Sequence, residues 1–146
     1  MSMGGEEAIG AAASDPRIRA VVAEGVTGRT DADANWLSDV YGVRGTLQEG
    51  IEWLRYTLAD LLSSAPKPIS LATAIERAAP TPFLVIAGGN VPDEQHVADI
   101  LGGASDHVTI WVVPGSDHIQ GLSIAPGEWE RRVTAFLEDN LRSSRP

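Results

Sequence analysis

Three short strings in this 146-residue chain carry side chains that could work together chemically. Met1-Ser2-Met3-Gly4-Gly5 runs directly into an Ala- and Glu-rich helical stretch. Small residues around a serine permit a sharp strand-to-helix turn, which exposes the hydroxyl and aims the following N–H at a developing oxyanion. Ser2 is therefore a candidate nucleophile and the Met3 N–H a candidate oxyanion donor. A frayed chain start is the plainer reading of the same residues. Gly88-Gly89-Asn90-Val91-Pro92-Asp93-Glu94 offers a carboxylate. Asp93 could instead cap the following helix, with Glu94 a favourable charge in its first turn. Pro114-Gly115-Ser116-Asp117-His118 offers an imidazole suited to general-base work, or simply a solvated or packed histidine. His96 falls within a helical pattern and His107 just before a strand. Asp93 and His96 sit three apart on one helix, but no third ligand has a recognisable metal spacing, so no metal site is expected.

Three apolar runs must hold these strings in place: Ile18 to Ala23, Phe83 to Ala87 and Val108 to Val113. Each is rich in β-branched residues and is followed by Gly or Pro-Gly. Apolarity that is nearly continuous suits strands covered on both faces, as in a parallel sheet. Helical patterns cover Gly5 to Ala13, Asp93 to Leu101 and Glu128 to Leu141. In the last, Trp129, Val133, Phe136 and Leu137 share one face. The order helix, strand, insertion, strand, helix, strand, helix is that of crossover units, so the expected fold class is α/β.

The insertion runs from about Val26 to Pro80. Its Leu47, Ile51, Leu54, Leu58, Leu61 and Leu62 fall on a helical stripe, and a shorter helical stretch covers Leu71 to Ala79. The stripe reads first as core packing, and second as the apolar face of a lid over a substrate cleft. Trp36, Trp53, Trp111 and Trp129 fit an acyl pocket or ordinary packing.

Composition narrows the partners. Eleven Lys plus Arg against 20 Asp plus Glu give a formal net charge of −9, which disfavours nucleic acid and anionic lipid. The absence of cysteine removes disulfides, thiolate metal sites and a cysteine nucleophile. No apolar run is long enough to span a bilayer, and Glu6 and Glu7 stand where a signal peptide would be basic. The expectation is a cytoplasmic protein without membrane segments. No phosphate-binding or dinucleotide glycine pattern is complete.

The chain order Ser, acid, His, each in the loop after a successive sheet element, resembles that of α/β-hydrolases. An acid-to-His gap of about 25 residues is what one helix and one strand require. S-M-G-G-E-E-A-I, R-I-R-A-V-V-A-E-G, V-P-G-S-D-H and G-E-W-E-R-R-V-T-A-F-L look like the esterase- and peptidase-like hydrolases common in actinobacteria. The resemblance is to the C-terminal half of the family, from Ser2 to about Leu141. It implies a partial α/β-hydrolase fold of about three parallel strands with flanking helices. Residues 1–25 and 81–146 would form the core part and residues 26–80 a helical cap. By that resemblance Ser2 attacks a small-molecule acyl substrate, His118 is the base and no cofactor is needed. In the commoner family pattern the acid lies nearer the strand end, where this chain has Asn90 and Val91, so Asp93 and Glu94 both remain candidates.

In the family, a long segment precedes the serine, including the leading Gly of G-x-S-x-G. The resemblance therefore implies a truncated hydrolase with little or no catalysis by this chain alone. It also implies an exposed strand edge at Ile18 to Ala23 through which the chain could associate. Two other readings stand beside this one. A non-catalytic fragment could serve as a binding module. Alternatively, loss of Met1 would make Ser2 an N-terminal nucleophile, which expects a four-layer antiparallel architecture.

Overall fold

Phe83, Val85 and Ala87 alternate with Leu84 and Ile86 along one strand, and both sets are buried. That strand is the centre of a three-stranded sheet in a computed structural model that describes residues 2–142, the side chain of Ser2 excepted. The strands are β1 (Val21–Glu24), β2 (Phe83–Gly88) and β3 (Val108–Val113), all parallel, in the order β1-β2-β3. The register sets Val21 against Phe83 and Phe83 against Val108. The helices are α1 (Ser2–Ala12), α2 (Leu37–Tyr41), α3 (Val43–Leu62), α4 (Leu71–Ala78), α5 (Pro92–Ala104), α6 (Gly121–Ile124) and α7 (Pro126–Arg142).

Two apolar clusters form three layers. Ile9 of α1, Leu71 and Ile75 of α4, and Val97 and Leu101 of α5 pack with Phe83 and Val85 on one face of the sheet. On the other face, Leu84, Ile86, Trp111 and Val113 pack with Trp129, Val133 and Phe136 of α7. The expected α/β class is therefore observed, but only the central run, β2, is covered on both sides as anticipated; β3 leaves Thr109 and Val112 exposed. A parallel sheet does not fit the four-layer antiparallel architecture that an N-terminal-nucleophile reading expects.

Three expectations need correction. Ile18 to Ala20 are not part of β1, because the paired stretch of β2 begins at Phe83, opposite Val21. Residues 26–80 are not all cap. Val26 and most of α4 lie in the core, with Leu71, Ala74 and Ile75 fully buried. The arm that stands off the sheet is α2 with α3. The leucine stripe on α3 is not core either: Leu47, Ile51, Leu54, Leu58, Leu61 and Leu62 are all exposed. Among the described residues no helix is long and apolar enough to cross a membrane.

Candidate active site

The carboxyl ends of β2 and β3 feed two loops that close on each other. Gly89 N–H donates to the Val113 carbonyl at 2.9 Å, and Asn90 N–H to the Ser116 carbonyl at 2.9 Å. Asn90 Nδ2 donates to the Gly115 carbonyl at 3.1 Å and to Asp117 Oδ1 at 3.2 Å. Fully buried Ser116 donates its hydroxyl to the Val113 carbonyl at 2.9 Å and shapes the turn. Glycine is required at position 89, because a Cβ there would stand 2.6 Å from the Val113 carbonyl oxygen. Asn90 is thus a tie between the loops.

His118 projects from the second loop with a half-exposed ring, and its Nδ1 lies 2.5 Å from Glu94 Oε1. The Glu94 side chain is completely buried, and its Oε2 accepts the Gly88 N–H at 2.8 Å. Both carboxylate oxygens therefore have partners, which a buried anion requires. The first turn of α5 adds its favourable dipole end. With Nδ1 directed at the carboxylate, Nε2 is the ring atom left for other work.

Asp93 does not join the pair. One helix position turns it away by about 100°, toward α2, where it accepts the Tyr41 hydroxyl. That bond to Asp93 pushes the Tyr41 phenol above its ordinary value. His96 packs against Trp36 with tilted rings whose centroids are 4.4 Å apart, so Asp93 and His96 have separate partners. No group of three or more His, Asp or Glu is placed to hold a metal among the described residues. His107 is exposed at the start of β3, far along the sheet from the loop of His118.

Two residues that sequence reasoning left without a role hold the histidine loop. Glu24, the last residue of β1, accepts the Gly121 N–H at 2.7 Å and Trp129 Nε1 at 3.1 Å. Gly25 follows with φ +73°, and a Cβ there would meet Ile119 Cγ2 at 2.6 Å and His118 Cε1 at 2.9 Å. Ile119 itself has φ +53°, an unusual value for a β-branched residue. The signal was present as an acid followed by Gly at the end of a buried strand.

Ser2 opens α1. Its side chain lies outside the described residues, as does all of Met1. The Met3 N–H belongs to the first turn of α1, where no intrahelical acceptor exists. Gly5 sets α1 against β1, its Cβ position only 3.1 Å from Ala23 Cβ. Buried Glu6 accepts the Thr27 N–H at 3.0 Å and the Gly28 N–H at 3.1 Å. These contacts anchor the start of α1 beside the end of β1, and His118 packs on the same turn at Gly25.

A cleft of about 200 Å³ lies between this edge and α3, lined by Thr27, Thr30, Trp36, Glu52, Tyr56 and Asp93 among others. His118 is not in its wall. Asp93, adjacent to Glu94, links the two. Gln48, Glu52, Arg55 and Tyr56 of α3 face it, so the side of α3 toward the cleft is polar and the apolar-lid expectation is reversed. Of the four tryptophans, Trp36 alone lines this cleft, Trp111 of β3 and Trp129 of α7 belong to the cluster between the sheet and α7, and Trp53 is exposed.

No family model matches the sequence, and no curated protein matches it. The fold is similar to that in the crystal structure of NosK from Streptomyces actuosus. The TM-score is 0.61 and the identity 22%, over 96% of this chain and 67% of that one. At that identity the likeness concerns the fold alone.

Proposed function

We propose that this chain carries a serine-hydrolase site of the α/β-hydrolase type, acting on ester, amide or related acyl bonds. The observation that carries the reading is the His118–Glu94 pair, with Nδ1 2.5 Å from a fully buried carboxylate. Ser2 Oγ attacks the acyl carbon while His118 Nε2 takes its proton. His118 then returns the proton to the leaving group, and water completes the second half by the same route. Glu94 fixes the tautomer through its bond to Nδ1 and stabilises the imidazolium. The Met3 N–H meets the oxyanion. Each such donor contributes about 10²- to 10³-fold in rate, so a site with one assigned donor should turn over slowly. The chemistry needs no metal or organic cofactor.

A second reading, a non-catalytic binding module, is favoured by the exposed stripe on α3. Hydrolysis of a small activated ester separates them. Turnover that is lost in both Ser2→Ala and His118→Ala supports the hydrolase. Turnover unchanged by Ser2→Ala, or none from the folded wild-type chain, contradicts it.

A further inference from the structure

The orientation of α3 is inverted. Its polar side, with Gln48, Glu52, Arg55 and Tyr56, faces the chain's own cleft, and Glu49 Oε1 accepts the Ser38 N–H at 2.8 Å. Its apolar side faces outward: Leu47 is 66% exposed, Ile51 65%, Leu54 51% and Leu61 79%. An amphipathic helix normally does the reverse, and so large an exposed apolar strip marks a contact surface.

We propose that α3 is a self-association face, on which a second copy of this chain packs its own α3. Three observations select that occupant. Leu47, Ile51, Leu54, Leu58 and Leu61 advance by alternating steps of four and three, the spacing of a helix–helix seam. The seam holds no charge, so it meets its own image without like-charge repulsion, as an isologous twofold contact requires. Lastly, the area suffices. At about 100–150 Å² per aliphatic side chain, the stripe with Leu62 leaves on the order of 500 Å² of apolar surface. A standard interface buries about 800 Å² per partner, a little over half of it non-polar.

A membrane surface fits less well. Helices that lie on membranes carry Lys and Arg on the polar side. Here Glu49, Glu52 and Asp60 stand beside Arg44 and Arg55, on a chain of net charge −9.

Sedimentation equilibrium of the full chain across micromolar concentrations tests the proposal. The expected mass is twice 15.4 kDa. Leu54→Glu with Leu58→Glu should weaken association at least tenfold with circular dichroism unchanged, while Ala135→Glu on α7 should not. The chain has no cysteine, so Leu54→Cys should form an intermolecular disulfide on oxidation where Ala135→Cys does not. A monomeric wild type overturns the proposal. So does a dimer that survives the paired glutamates, or a monomer that binds phosphatidylcholine vesicles through this stripe.

Discussion

At the carboxyl edge of the sheet, Glu6, Glu24 and Glu94 each place carboxylate oxygens on backbone N–H groups. Along α3, Leu47, Ile51 and Leu61 stand in solvent, while Gln48, Glu52 and Arg55 line the chain's own cleft. The first region is over-determined. Loop ties, glycine contacts and paired oxygens all point His118 one way. The second carries few constraints of its own: Glu49 of α3 accepts the Ser38 N–H, and the adjoining α2 reaches α5 through Tyr41 and Asp93. The contrast teaches that a rigid chemical edge and an open contact arm can share one small chain, with the Asp93–Glu94 dipeptide at the boundary between them.

That boundary is where the contrast breaks most sharply. Glu94→Gln keeps the shape but removes the anion from His118, and should slow ester turnover by about 10²- to 10⁴-fold. Asp93→Asn touches Tyr41 and the cleft wall but not His118, and should change kcat by no more than about two- to threefold, the scale of a surface effect. Equal losses in the two variants would erase the distinction drawn between the adjacent acids.

Gly25→Ala comes next. The added methyl meets His118 and Ile119, and φ +73° disfavours it as well. A loss of about 1–3 kcal/mol in urea unfolding is expected. Unchanged stability would mean that the edge is looser than described. Glu24→Gln should preserve packing but weaken the hold on Gly121 and Trp129, lowering kcat about tenfold with KM nearly constant. A KM change alone would assign Glu24 to binding instead.

The smallest effect lies on α7. Hydrogen bonds from Arg131 and Arg132 hold the Glu128 carboxyl below the usual carboxylate range. A lowered folded-state value contributes stability above the unfolded value, lost as pH falls through the folded one. Thermal melts from pH about 6 to 3 should therefore show the wild type losing a slight advantage over Glu128→Gln. An advantage that grows on acidification would reverse the sign.

Much of this edge was legible in the sequence. β2 sits where an apolar run ends in glycine, because burial on both faces demands such a run, and β3 follows its β-branched run although Thr109 and Val112 stay exposed. The start of β1 was not legible, since Ile18 is apolar enough for a strand but has no β2 residue opposite. Periodicity found the helix of α3 but not which way its stripe faces, which depends on the rest of the fold. Spacing left Asp93 and Glu94 equal because adjacent helix positions differ by direction rather than distance. Glu24 and Gly25 gained their roles only when the loop after β3 folded onto them.

The most direct measurement is mass-spectrometric mapping of the residue labelled by a fluorophosphonate, for wild type, Ser2→Ala, His118→Ala and Glu94→Gln. The expected adduct lies on Ser2, disappears in the first two variants and forms more slowly in the third. An adduct elsewhere, or none from the folded wild-type chain, would contradict it.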